Sequence, residues 1–337
     1  MFNTFLTIHG ATKVVNVCAA VKPGERVLIV TDAETAAVAE AVATAAHLQT
    51  SEVAVMLIPP GRVDGGEPPP LVRAAMLETD VIVAAVSRSI SHSTAVNAAL
   101  ANGARMVSLA GFRPEDLVRG GIEADFLAQR VLCDRVADRL GDAETARLTS
   151  DAGTDLLLRL GKRPANSHPG IADRPGQFTA VPNIEANIAP IENESQGVIV
   201  FDGSIPNLRT GRPLGDPVMV HVKGGSIVAI EGGAEAALLK RIWNEQDDPT
   251  VYTVAQLAVG LNPRCTGFTG GFLNDHGVFG SVHIGIGTSM NLGGDVKAPL
   301  HFDGMLRAPR LELDGQVVVE DWNVMIGDQV ATAGTAT

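Results

Sequence analysis

The run Gly280-Ser-Val-His283-Ile-Gly-Ile-Gly287 sets one imidazole among small and apolar residues, and His301-Phe-Asp303 begins fourteen residues after its end. Val282, Ile284 and Ile286 make the run read as a buried strand. On an extended chain, positions i and i+2 share a face, so His301 and Asp303 project together. Two imidazoles and a carboxylate within twenty-one residues are the donor types that close round one divalent ion. Taken singly, His283 also reads as a hydrogen-bonded core histidine, and His301 with Asp303 as a surface pair. Glu185 tips the balance toward a metal site. It stands among Pro182, Ile184, Ile188 and Pro190, where an unpaired charge is strongly unfavourable. Its partner is then a metal or a neighbouring arginine.

A second polar constellation is Ser87-Arg88-Ser89-Ile90-Ser91-His92-Ser93-Thr94. It follows an apolar strand and precedes a helix, the place where open α/β sheets bind ligands. Ser91 or Ser93 reads as a helix cap. His92 reads as a substrate-contacting or acid–base residue, because capping needs no imidazole. Gln256 lies in an apolar, strand-like run and needs hydrogen-bond partners. His168 and Asp173 fall in a Pro- and Gly-rich stretch and read as loop residues.

The elements that must position these groups alternate in the first half. Strands are expected near 26–31, 53–58, 81–86 and 105–110, with helices at 33–47, 70–76, 93–102 and 122–147 and a Thr31/Asp32 cap on the first. That order implies a parallel sheet with flanking helices. Residues 161–180 read as a connecting loop. From 181 the pattern shifts to period two, with strands at 197–202, 217–223 and 226–231 and a hairpin turning at Asp314-Gly315. One helix near 234–246 carries Leu238, Leu239, Ile242 and Trp243 on one side. The expected architecture is an α/β domain over 1–160 and a β-rich α+β domain over 181–337 that carries the metal site.

The 337 residues are 45% hydrophobic and only 4% aromatic, so the cores must be built from small and branched side chains. A net charge of −12 argues against binding to a nucleic-acid backbone. Cys18, Cys133 and Cys265 have no Cys-x-x-Cys spacing, which argues against a disulfide scaffold or a thiolate zinc cluster. No signal-peptide pattern opens the chain, and no apolar run is long enough to span a membrane. A cytoplasmic protein acting on a small molecule is the expectation. No Gly-x-Gly-x-x-Gly or Gly-Lys-Ser/Thr motif supports a nucleotide site.

At Ser87–Thr94, Gly170–Gly176, Pro182–Pro190, Gly260–Arg264, Gly280–Gly287 and His301–Asp303, the chain resembles the superfamily of the aminopeptidase T type metallopeptidases and the 2,5-dihydroxypyridine 5,6-dioxygenases. The peptidase resemblance implies two metals on two glutamates, two histidines and an aspartate. These map to Glu185, His283, His301 and Asp303, with Gln256 in place of the second glutamate. The dioxygenase resemblance implies one Fe(II) on two histidines and an aspartate. Here His301 and Asp303 match, Gln256 again stands where a ligand is expected, and His283 has no counterpart. The resemblance also implies a homo-oligomer.

Two mechanisms follow, with hydrolysis put first on the four matching peptidase ligands. In it, Zn, Mn or Co on His283, His301, Asp303 and Glu185 activates water against an amide or peptide carbonyl. Glu185 becomes the general base if it is not a ligand, and His92 or Arg88 stabilises the oxyanion. In the oxidative alternative, Fe(II) sits on His283, His301 and Asp303, and His92 deprotonates a hydroxylated N-heterocycle. A third reading is a non-catalytic binding protein whose metal was lost with the change to Gln256.

Overall fold

The computed structural model describes residues 4–62, 64–91, 93–326 and 329–333. It divides into two compact units, Met1–Leu127 with Pro169–Pro182, and Ala128–His168 with Asn183–Thr337. The first is α/β and the second is β-rich. No described helix is long and apolar enough to cross a membrane.

In the first unit, five parallel strands lie in the order Val53–Leu57, Val27–Thr31, Val81–Ala85, Arg105–Ser108 and Phe178–Ala180. Val27–Thr31 and Val81–Ala85 are buried at every position, which explains their unbroken apolar sequence. Leu28, Val30, Ile82, Ala84, Val96, Ala99 and Met106 form one core cluster, built as expected from small and branched residues. The helices are Ala36–His47, Pro70–Leu77 and Thr94–Ala101, preceded by Thr4–Lys13, which sequence periodicity does not reveal. Ser93 is the cap of its helix, accepting from the Val96 amide. Asp32, expected with Thr31 to cap the next helix, does not: that helix begins at Ala36 with Thr35 at its N-cap position. One Asp32 carboxylate oxygen accepts from the Glu34 amide, and the other accepts from the Ser87 amide and hydroxyl, so Asp32 braces two adjacent strand ends.

The second unit holds a nine-stranded antiparallel sheet ordered Ser226–Glu231, Val218–Lys223, Gln196–Phe201, Asp155–Arg159, Thr145–Thr149, Arg310–Leu313, Gln316–Glu320, Asn323–Ile326 and Gln329–Ala331. Its hairpins turn at Gly224-Gly225 and Asp314-Gly315, all four residues with positive φ. Helix Ala234–Asn244 buries Leu239 and Trp243, with Leu238 and Ile242 half-buried. A second antiparallel sheet runs His301–Leu306, Val282–Gly287, Val254–Gly260, Glu185–Ile188 and Asn166–His168.

Three sequence expectations differ from this arrangement. Residues 128–160, expected in the first domain, belong to the second, because Thr145–Thr149 and Asp155–Arg159 pair with Arg310–Leu313 and Gln196–Val198. The helix expected to 147 ends at Asp142, where alternating burial takes over in Thr145–Thr149. The expected loop at 161–180 contributes a strand to each unit, Asn166–His168 to the second and Phe178–Ala180 to the first.

Candidate metal centre

Four strands of the five-stranded sheet deliver the predicted donors to one face. Residues directly opposite each other in an antiparallel ladder point the same way. Gly260 faces Glu185, Gln256 faces Gly285, Gly285 faces Asp303 and Gly287 faces His301 across the ladders. With the i, i+2 rule along each strand, Glu185, Gln256, His283, His301 and Asp303 share that face. Gln256 keeps the register of Leu257–Val259, which puts the amide in line with Gly285; the ladder shifts only beyond it, toward Val254. A side chain at 285 would fill the space these groups use. A Cβ there would lie 2.7 Å from both the Gln256 Cβ and the His301 Nε2.

A donor the sequence did not single out comes from outside the sheet. His276 ends the short helix Phe272–His276 and places Nε2 3.0 Å from Oδ2 of Asp303. His301 places its Nε2 3.0 Å from the other oxygen, Oδ1. One buried carboxylate therefore lies between two imidazoles. His283 stands alongside, and one ligand atom each of His276, His283 and Asp303 lie within 4.8 Å of one another. No sequence pattern marks His276, because a helical position seven residues before His283 follows no strand parity. Its one sequence signal was the imidazole itself.

The other imidazole nitrogens define the chemistry. Nδ1 of His301 is 2.8 Å from the Thr288 carbonyl, and Nδ1 of His276 meets the Phe272 carbonyl. A carbonyl only accepts, so Nδ1 carries a proton in both rings, and in the neutral form of each ring Nε2 presents a lone pair toward Asp303. A lone pair and a carboxylate oxygen at 3.0 Å repel unless a cation lies between them. Two extra protons would satisfy the arrangement, and so would one divalent ion. Each imidazole–carboxylate spacing of 3.0 Å matches that of adjacent ligands in an octahedron with bonds of about 2.1 Å. Backbone carbonyls on the outer nitrogens are also the usual support of metal-binding histidines.

Without an ion, protons fill that role. Burial alone would lower the His276 imidazole, but the bond and charge of Asp303 push it up to about 9. Burial likewise opposes protonation of His301, and Asp303 overcomes it. Asp303, although buried, is held well below the usual carboxylate range by His301 and His276. His283 goes the other way. Burial pulls it down to about 4, and its Nδ1 is a buried atom with no hydrogen-bond partner.

The partner of Glu185 is neither of the two expected classes alone. Burial would raise its carboxyl, yet His283, His276 and His168 together with the Asn183 amide hold it below the ordinary value. Asn183 and Asn187 donate to it at 2.8 and 2.7 Å, Gln256 Nε2 lies 3.3 Å away, and His283 Nε2 3.5 Å. Asn166 donates to Asn187 in turn. Three side-chain amides and an imidazole take the place of an arginine. His168 is half-buried in the strand opposite Glu185, rather than in an exposed loop.

Arg88 lies in the first unit, with a guanidinium nitrogen 3.9 Å from Asp64. His92 lies outside the described residues.

Comparison with known proteins places the chain among relatives. A family model described as 2,5-dihydroxypyridine 5,6-dioxygenase matches residues 7–326. A 2,5-dihydroxypyridine 5,6-dioxygenase from Pseudomonas putida KT2440 is 27% identical over 248 residues, covering 71% of this chain and 68% of the relative. The structure of 2,5-dihydroxypyridine dioxygenase from the same organism superposes with a TM-score of 0.80 at 23% identity, covering 96% of this chain and 97% of that one. Wild-type AmpT from Thermus thermophilus shares the fold with a TM-score of 0.66 at 15% identity, covering 94% and 99%.

Proposed function

The chain belongs to the 2,5-dihydroxypyridine 5,6-dioxygenase family, and from that premise we propose that it is a mononuclear Fe(II) dioxygenase that opens the ring of a hydroxylated N-heterocycle. One observation carries the reading: two imidazoles with carbonyl-bound Nδ1 atoms aim their Nε2 lone pairs at the two oxygens of Asp303. His276, His301 and Asp303 would hold the ion, a two-histidine, one-carboxylate set that leaves positions open. His276 thereby replaces Gln256 and His283 in the set drawn from sequence. His283, with a ligand atom within 4.8 Å of those of His276 and Asp303, would be a neutral imidazole beside that set.

Bound there, Fe(II) supplies the redox chemistry that joins dioxygen to the ring. The remaining residues keep the donor set in one arrangement. Glu185 holds the amino end of the Gln256 amide toward itself, which leaves the amide oxygen 2.9 Å from His301 Nε2, where both would face the same cation. The neutral amide at 256 adds no charge, so the donors offer the single carboxylate of Asp303 to one ion. The change at 256 therefore removes no ligand of this set, which speaks against a binding protein that lost its metal. The hydrolytic reading rests on the peptidase-like positions Glu185, His283, His301 and Asp303; the likeness to AmpT, at 15% identity, extends to the fold alone. Family membership supports oxygenation instead.

Metal-free protein reconstituted anaerobically with Fe(II) or Zn(II) tests the proposal. With 2,5-dihydroxypyridine as the probe, the Fe(II) form is expected to consume one dioxygen per ring lost, and the Zn(II) form none. Amide hydrolysis by the Zn(II) form, with no oxygen uptake by the Fe(II) form, would overturn it.

A further inference from the structure

The donors of the proposed centre come from two elements that share no ladder: the strand His301–Leu306 and the helix Phe272–His276. Something must fix the gap between them, because a misplacement of about 1 Å is enough to spoil a metal site. The segment Gly203–Leu208 touches both.

On the strand side it makes four bonds. Gly203 N donates to the Met305 carbonyl at 3.0 Å, and Met305 N donates to the Ser204 carbonyl at 2.9 Å. Asn207 then spans the two ligand residues, donating from Nδ2 to the His301 carbonyl at 3.1 Å and accepting from the Asp303 amide at 3.0 Å. Close approach is required, since a Cβ on Gly203 would lie 2.6 Å from the Phe268 ring and 2.9 Å from the Met305 oxygen.

On the helix side a single side-chain bond does the work. Ser204 Oγ donates at 2.7 Å to Oδ2 of Asp275, the residue next to His276. Asp275 and Ser204 are both fully buried. The same carboxylate accepts from the Gly270 amide on Oδ2, and from the Thr269 amide, the Thr269 hydroxyl and the Asn274 amide group on Oδ1. All five donors are neutral; three of them belong to Thr269 and Gly270 just before the helix, and the Asn274 amide lies within it. Ser204 is the one that ties it to the strand.

We propose that Ser204 and Asp275 are positioning residues that set the separation of His276 from His301 and Asp303, with the segment Gly203–Leu208 as the rigid link. This rests on the assignment of His276, His301 and Asp303 as the metal ligands. A carboxylate suits the role because it accepts on both oxygens at once. An amide at 275 would turn a donor toward at least one N–H or O–H group.

The test is Co(II) binding to the metal-free protein, read by titration and by the visible spectrum of the bound ion. Ser204→Ala is expected to bind Co(II) at least tenfold more weakly and with an altered spectrum. Thr269→Val, which removes a bond to the same carboxylate on the helix side alone, should keep both affinity and spectrum. Wild-type affinity and spectrum in Ser204→Ala would overturn the proposal, as would an equal loss in Thr269→Val. If Ser204→Ala does not fold, Ser204→Cys keeps a weak donor and should show intermediate affinity; an unchanged value there would overturn it equally. His276→Ala separates the two levels: wild-type binding in that variant removes the ligand assignment itself, whereas its loss beside intact binding in Ser204→Ala removes the positioning role alone.

Discussion

Gln256 sets its amide oxygen 2.9 Å from Nε2 of His301 and its amide nitrogen 3.3 Å from Oε1 of Glu185. The amide thus bridges a ring that presents a lone pair or proton and a carboxylate that needs donors. A carboxylate at this position would lose the Gln256 N–H group that faces Glu185 and set two carboxylates against each other.

Gln256→Glu therefore creates a demand for positive charge between residues 256 and 185. The expected outcome is a second equivalent of divalent metal, with Glu185 and His283 as its nearest further donors. Metal analysis after dialysis checks it, and unchanged stoichiometry would refute the account of Gln256.

His301→Ala and His276→Ala each remove one of the two imidazoles on Asp303. Both variants are expected to lose tightly bound metal, and His283→Ala to retain more than either. Full metal content in His301→Ala would leave the proposed centre without support.

Gly285 lies under the His301 ring and the Gln256 stem. Its φ is not in the left-handed region, so backbone strain plays no part. Gly285→Ala should displace the imidazole, weaken metal binding at least tenfold, and lower stability by about 1–3 kcal/mol through overpacking. Thermal unfolding and metal titration on the same sample separate these effects. Unaltered metal affinity would mean that the ring has room to move.

Away from the centre, Arg163 grips Glu192 with two guanidinium nitrogens at 2.9 and 2.6 Å, and the Asp295 amide adds a third donor. The Arg163 guanidinium pulls the Glu192 carboxyl down to about 2. A carboxyl depressed in the folded state stabilises above its unfolded value, and that contribution fades as pH falls toward the folded one. Wild type should exceed Glu192→Gln by about 1–3 kcal/mol near pH 7, after allowing for the partial exposure of the pair. The gap should close between about pH 4.5 and 2. Urea unfolding of both proteins across that range measures it, and a gap independent of pH would exclude the ion pair as its source.

Much of this was legible in the chain. Strand parity alone puts His301 and Asp303 on one face, because that relationship is set by three consecutive residues. The setting of Glu185 among apolar residues announces a buried carboxylate with obligatory partners. The alternation of strands and helices before residue 110 is likewise local, and it yields the parallel sheet. Several separated motifs, taken in order, already carried the resemblance to the dioxygenase and peptidase superfamily.

What the tertiary structure decided was which groups meet. Cross-strand register brings Gln256, Gly285 and Asp303 into one row, and register depends on partners far apart in sequence. His276 reaches Asp303 from a five-residue helix whose Asp275 is bonded to Ser204, seventy-one positions from Asp275 in the chain. The unit boundary shifted for the same reason: Thr145–Thr149 joins the second unit by pairing with Arg310–Leu313, a contact no local pattern encodes. Local sequence fixes which way a side chain points from its own element, and only the packing of distant elements fixes what it points at.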